Sequence, residues 1–312
     1  MSEKWNGDEM VDVKGKTVVI TGANSGLGFE TAFVLAGKGA EVILAVRNAS
    51  KGEKAVDRIT SVHPKANVSV MSLDLSDLSS IHHFADSFLE NYDSLSILIN
   101  NAGVMIPPYS QTKDGFELQF GSNHLGHFAL TGLLLPKILS TKNSRVVTLS
   151  SLAAINGFID FDNLDGKNHY KAMRFYAQSK LANLLFSREL QNKFEHHQVD
   201  SISVACHPGL SHTNLMSRGS GKPLNKFVQY LSKTITQPAN MGALPTLYAA
   251  TEPALTGGEY IGPDGKKGRK GFPKKDAIID TLYDKEISEK LWAISESMTG
   301  VNYSFTADLR QK

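Results

Sequence analysis

A tyrosine and a lysine one helical turn apart are the side chains best suited to move a proton in this sequence. They lie in the run Tyr176-Ala177-Gln178-Ser179-Lys180. Residues at this spacing share one face of a helix. A phenol with a pKa of about 10 is a poor acid–base catalyst at neutral pH. An ammonium beside it favours the phenolate and draws that pKa toward the working range. Taken alone the pair is a weak signal, because Tyr-x-x-x-Lys arises by chance on many exposed helices. Three other clusters give it company: Thr21-Gly22-Ala23-Asn24-Ser25-Gly26-Leu27-Gly28, Asn100-Asn101-Ala102-Gly103 and Ser150-Ser151.

The glycine run follows an apolar, β-branched segment and precedes an amphipathic one. Glycines at 22, 26 and 28 between a strand and a helix let the backbone turn tightly and approach a pyrophosphate, which the helix N-terminus then attracts. The spacing is G-x-x-x-G-x-G rather than G-x-G-x-x-G, a moderate signal by itself. The tip of the second strand, Val42-Ile43-Leu44-Ala45-Val46-Arg47-Asn48, carries no acid to hold a ribose 2′-hydroxyl. Arg47 stands there instead, and a guanidinium pairs with a 2′-phosphate that a carboxylate would repel. The expected cofactor is therefore NADP(H).

The elements that must carry these residues alternate along the chain. Strands are expected at Thr17–Thr21, Glu41–Val46, Asn67–Leu73, Leu95–Asn100, Arg145–Ser150, Ser201–Cys206 and Glu259–Ile261. Helical patterns fill Gly26–Lys38, Lys51–Val62, Leu78–Tyr92, Gly115–Leu139, Arg174–Glu195 and Met241–Thr251. This alternation predicts an α/β fold: a single Rossmann-like, doubly wound parallel sheet with helices on both faces. The candidate residues then sit at the carboxyl ends of strands, where such sheets bind ligands. Residues 1–14 read as a flexible lead-in and 15–312 as one dinucleotide-binding and catalytic domain. Two stretches fit the alternation poorly, about 153–169 and 211–236, and are expected to be substrate-side insertions.

The bulk of the sequence narrows the alternatives. Its 312 residues are 41% hydrophobic and 21% charged, with a formal net charge of +2. That charge gives no global attraction for nucleic acid. Cys206 is the single cysteine, so no internal disulfide or thiol pair exists, and a reducing, cytoplasmic setting is expected. The first residues lack the apolar run of a signal peptide, and no stretch of about 18 apolar residues predicts a membrane span.

Together these motifs resemble the short-chain dehydrogenase/reductase family. The resemblance runs through most of the chain in the family's order. It begins at the glycine loop and passes through Asp74-Leu75, Asn100–Gly103, Asn123, Ser150-Ser151 and Tyr176–Lys180. It ends at Pro208-Gly209 with Thr213 beyond. The runs Asn123–Phe128 and Ser179–Asn183 resemble the branch that holds retinol dehydrogenases and protochlorophyllide reductases. It implies that Tyr176 is the general acid in reduction and base in oxidation, that Lys180 lowers its pKa and bonds the nicotinamide ribose, and that Ser151 bonds the substrate oxygen. Asn123 would kink its helix and hold a relay water. Asp74 and Leu75 would contact adenine, Asn101, Ala102 and Gly103 would line the adenosine side, and Pro208, Gly209 and Thr213 would border the nicotinamide. Relatives also use the two long helices as a dimer contact, although some are monomers.

The sequence departs from that pattern in places. Leu210 stands where protochlorophyllide reductases carry a cysteine, which argues against photochemistry. No membrane anchor like that of vertebrate retinol dehydrogenases is seen, so a retinoid substrate does not follow. His124 and His127 read as helix packing rather than metal ligands, and no metal is expected. The basic run Gly265–Lys275 reads as a solvated loop, with an anionic partner or a membrane surface as its alternative. The expected activity is reduction of an apolar carbonyl compound by NADPH. The alternatives are an NAD-dependent alcohol dehydrogenase and a non-catalytic NADP sensor on the same fold.

Overall fold

Strand β1, Thr17–Thr21, is buried at every position, as its β-branched run requires of a central strand in a two-faced sheet. The computed structural model describes residues 4–7, 9–211 and 236–305. Its sheet has eight strands in the order β3-β2-β1-β4-β5-β6-β7-β8. The others are β2 Glu41–Val46, β3 Asn67–Ser72, β4 Ile97–Asn100, β5 Arg145–Leu149, β6 Ile202–Cys206, β7 Tyr260–Pro263 and β8 Pro273–Lys275. All neighbouring pairs run parallel except β7 and β8. The chain winds outward in both directions from β1 and β4, which makes their carboxyl ends the switch point where a crevice opens.

Helices α1 (Gly26–Gly37), α2 (Ala49–Val62) and α6 (Ala239–Thr251) cover one face of the sheet. The other is covered by α3 (Leu78–Asn91), α4 (Gly126–Ser140) and α5 (Ala172–His196). Local chemistry sets several of their starts. The Asn48 side chain accepts from the Lys51 amide, and that of Asp77 from Ser79, each satisfying an orphan donor at a helix N-terminus.

Four features depart from the sequence reading. Gly115, expected to open the fourth helix, has φ +84; the helical stretch begins at Leu118 behind a Glu117 cap, and a π-helical turn, Gly121–Leu125, precedes α4. The basic run is not a free loop. Residues 266–268 form a 3₁₀ turn, and Pro273–Lys275 form β8, antiparallel to β7. A further helix, α7 (Lys285–Thr299), is capped by Asp284 and stopped by Gly300 at φ +69. It sets Trp292 against Phe128 and Phe186. Finally, Trp5, Met10 and Val13 of the expected lead-in are buried against the core, with Trp5 edge-on to Tyr248. Residues 212–235, most of the second expected insertion, and Thr213 with them, lie outside the described residues.

Candidate active site

The glycine loop leaves β1 at Thr21. Gly22 has φ +67, and a Cβ there would sit 2.9 Å from the Cβ of Ala102. A Cβ on Gly28 would come within 2.5 Å of Asn101 Nδ2. Glycine is thus required at both positions by close approach, and at Gly22 by conformation as well. The first turn of α1, with Gly26 and Leu27, is thereby packed down onto the end of β4. The Asn101 amide group donates to the Thr21 carbonyl at 2.7 Å. This leaves a backbone cradle at the helix N-terminus, with Asn24 and Ser25 half-buried beside it, that suits a dinucleotide phosphate. Arg47 is exposed at the carboxyl end of β2. Asp74 follows β3; its carboxylate accepts from the backbone and hydroxyl of Ser76, and the Leu75 carbonyl abuts Gly126.

The proton-moving candidates converge from α5, β5 and the π-turn. Tyr176 and Lys180 lie in the first turns of α5 and are buried. Lys180 Nζ donates to the Leu149 carbonyl at 3.0 Å, and Asn183 donates to the same oxygen. Burial pulls the Lys180 ammonium down to about 8. Burial also raises the Tyr176 phenol, opposed by hydrogen bonding from Ser151. The Lys180 ammonium is directed to the Leu149 carbonyl. Ser151 caps the 3₁₀ turn Leu152–Asn156 through the Ala153 amide. Ser150 is turned away and donates to the Lys180 carbonyl at 2.6 Å, so of the two serines it is Ser151 that faces the phenol.

Asn123 lies in the π-turn and is fully buried. Its side-chain oxygen accepts from the Val104 amide, and its amide donates to the Val104 carbonyl and to Ser179 Oγ. The loop after Gly103 is thereby held against α5. Beyond β6, the Pro208-Gly209 turn has Gly209 at φ +63 with the Arg269 carbonyl packed on it, and the Leu210 amide donates to that carbonyl. The basic run therefore buttresses this turn. Among the described residues no cluster of metal-binding side chains exists, and no helix is long and apolar enough to cross a membrane.

Two buried histidines lie against these residues; the sequence reading gave His127 only as helix packing and did not single out His207. His127 bonds Thr21 Oγ1 at 2.9 Å and the Asn123 main-chain oxygen at 2.8 Å. His207 Nδ1 accepts from the Gly209 amide, and the same ring holds the Asp276 carboxyl below its usual range. The sequence offered one signal for each: a histidine adjoining a motif, inside Asn123–Phe128 and directly before Pro208.

Comparison with known proteins agrees with this architecture. The short chain dehydrogenase family matches residues 16–222. The chain is 40% identical to mouse retinol dehydrogenase 12 over 94% of its length and 89% of that protein. It is also 40% identical to human retinol dehydrogenase 13, over 93% of its length and 86% of that protein. A crystal structure from Mycobacterium paratuberculosis superposes with a TM-score of 0.79 at 40% identity, covering 96% of this chain and 99% of that one. A short chain dehydrogenase of Shigella flexneri, crystallised with NADP, shares the fold at a TM-score of 0.61 and 21% identity, over 80% of this chain and 97% of that one. The chain belongs to the short-chain dehydrogenase/reductase family of oxidoreductases, in its retinol-dehydrogenase-like branch.

Proposed function

We propose that this protein reduces an apolar carbonyl compound with NADPH. The observation that carries the reading is the convergence of Ser151, Tyr176, Lys180 and Asn123 beside a glycine cradle at the switch point of the sheet. The cradle fits a dinucleotide, because Gly22 and Gly28 let its backbone pack closely against Ala102 and Asn101 at the N-terminus of α1. Gly22, Asn24, Ser25, Gly26, Leu27 and Gly28 would hold the pyrophosphate, and Arg47 the 2′-phosphate. Asp74, Leu75 and Asn101–Gly103 would flank the adenosine, and Pro208-Gly209 the nicotinamide. The bound cofactor would supply the hydride.

The chain's own residues would handle the proton. Tyr176, its pKa raised by burial, stays a neutral phenol at neutral pH and is poised to donate to a carbonyl oxygen. Ser151 would hold that oxygen by its hydroxyl. Lys180, with a pKa of about 8, remains largely cationic at neutral pH and stabilises the negative charge Tyr176 acquires on giving up its proton. Asn123 fixes the backbone at the bottom of the crevice. The neutral phenol is the form that donates a proton, as reduction of a carbonyl requires. The apolar character of the substrate is supported by exposed Ile106, Ile155, Phe158 and Met173 on the segments leading to these residues.

Paired fluorescence titrations with NADPH and NADH test the cofactor, followed by turnover of a straight-chain aldehyde. NADPH is expected to bind at least about tenfold more tightly, as a charge-assisted pair with Arg47 implies. Equal or tighter NADH binding overturns the NADP reading in favour of an NAD-dependent alcohol dehydrogenase. NADPH binding without turnover of any carbonyl compound favours a sensor.

A further inference from the structure

His127 lies one helical turn beyond Asn123, is fully buried, and has no part in the proton transfer described above. Each ring nitrogen meets a different part of the site. Nδ1 is 2.8 Å from the Asn123 main-chain oxygen, and Nε2 is 2.9 Å from Thr21 Oγ1. Thr21 Oγ1 is also 2.9 Å from the amide nitrogens of Asn101 and of Ala102. Four segments meet at this one ring and one hydroxyl: the end of β1, the end of β4, the π-turn and α4.

Hydrogen-bonding valence leaves a single assignment. A carbonyl oxygen only accepts, so Nδ1 must carry a proton. Burial holds the ring neutral, with a pKa of about 4, so Nε2 is bare and accepts the Thr21 hydroxyl proton. That hydroxyl has one proton and two lone pairs, and the Asn101 and Ala102 amides take the lone pairs. The Ile99 carbonyl, 3.4 Å away, loses the competition for the proton to the nearer nitrogen. The Thr21 hydroxyl and both ring nitrogens are then satisfied, and the Asn101 amide is shared with the Ile99 carbonyl at 3.0 Å. His124, one turn earlier, differs: its Nε2 meets Ser295, and its Nδ1 has no partner.

We propose that His127 is a positioning residue, a neutral imidazole clamp. It ties the Asn123 carbonyl to Thr21 and, through Thr21, to the Asn101-Ala102 backbone. The clamp couples the π-turn that presents Asn123 to the loop that would hold the adenosine side of the cofactor. Its Nδ1–H fixes the direction of the Asn123 carbonyl. Its Nε2 fixes the rotamer of Thr21 and so the two amides that depend on it. The proposal rests on the proposed function for the roles of Asn123 and Asn101–Gly103; the tautomer does not.

Long-range ¹H–¹⁵N correlations of the His127 ring test the tautomer in the intact protein. A protonated Nδ1 and a bare Nε2 are expected, and a proton on Nε2 overturns the clamp. Three variants test its effect, with NADPH and a straight-chain aldehyde as probes. His127→Asn keeps an amide nitrogen where Nδ1 was. His127→Gln keeps an oxygen near the Nε2 position. His127→Phe removes both. The aldehyde kcat should fall about tenfold in His127→Phe and His127→Gln and be largely kept in His127→Asn. The NADPH dissociation constant should rise about threefold or more in His127→Phe and His127→Asn and hold in His127→Gln. Packing alone cannot produce opposite splits; equal losses in all three, or none in any, overturn the proposal. If the histidine variants fail to fold, the ring tautomer of the wild type decides the clamp: a protonated Nδ1 with a bare Nε2 supports it, and a proton on Nε2 overturns it. Wild-type protein that binds no NADPH refutes the proposed function instead, and the ring tautomer then decides the clamp by itself.

Discussion

The floor of the candidate site and its rim are built from opposite kinds of surface. On the floor, Thr21, Asn123, His127, Tyr176 and Lys180 are all buried, and most of their polar atoms are hydrogen-bonded to backbone or to one another. On the rim, Phe158 is 61% exposed and Met173 51%, with Ile106, Tyr109 and Ile155 also open to solvent. Burial of polar groups is costly unless each finds a partner, so a floor of this kind admits one arrangement. Exposed apolar side chains bring no such constraint, and their contacts are free to be made by a ligand. Under the proposed function, the difference divides the work: the floor would set the reaction, and the rim the choice of substrate.

The sharpest break in that division would come from Tyr176→Phe. The change removes one oxygen from the floor, so kcat for carbonyl reduction should fall about a thousandfold. NADPH binding should change by less than about threefold, because the ring remains. Steady-state kinetics beside a fluorescence titration would measure both. A variant that keeps more than a tenth of wild-type kcat would remove the floor's claim to the chemistry.

Lys180→Met separates what the floor does for activity from what it costs in stability. The ammonium is buried, and its pKa of about 8 sits well below its usual 10.5. Replacing it with an apolar chain should stabilise the protein by about 2 kcal/mol while impairing turnover. Asn183 keeps the Leu149 carbonyl bonded when the lysine is gone. The sign of the pH dependence follows from the depression. Between pH 8 and 10.5 the unfolded chain still holds a proton that the folded one has released. Stability attributable to Lys180 therefore rises with pH across that window. Calorimetry without added cofactor should show this rise in the wild type and its loss in Lys180→Met. A Lys180→Met protein that melts lower and keeps the rise would mean that the lysine is a net stabiliser.

Much of the floor was legible before any coordinates, and the reason is local. The bounds of β1 and β2 follow from short β-branched runs ended by turn residues, and the structure returns them unchanged. Tyr176 and Lys180 stand out as a pair one turn apart, a weak sign alone that the neighbouring clusters strengthen, and the resemblance to the family implies Ser151. What the sequence hid is what depends on distant partners. The bond between His127 and Thr21 joins positions 106 apart. The resemblance implies a kink at Asn123, but the π-turn that makes it is held by the distant Val104 and Ser179. Strand β8 lies in a run of lysines, glycine and proline, which pairs only because β7 offers an open edge. Helix α7 was missed although Asp284 and Gly300 stand at its ends as ordinary start and stop residues.

The smallest expected effect tests the rim. Phe158 follows Gly157, which packs so tightly on Ala177 and Leu181 of α5 that a Cβ there would meet the Ala177 carbonyl at 2.8 Å. The backbone before Phe158 is therefore fixed against Ala177, the residue after Tyr176, while its ring projects into solvent. Phe158→Ser should leave stability within about 0.5 kcal/mol, as an exposed substitution does. If the ring covers part of an apolar substrate, kcat/KM for a long-chain aldehyde should fall about fivefold, the value of a partly buried aromatic surface. A short-chain aldehyde, which cannot reach the rim, should be reduced as before. Equal losses for both chain lengths would mean that Phe158 acts through Tyr176 rather than on the substrate, and floor and rim would then be one unit.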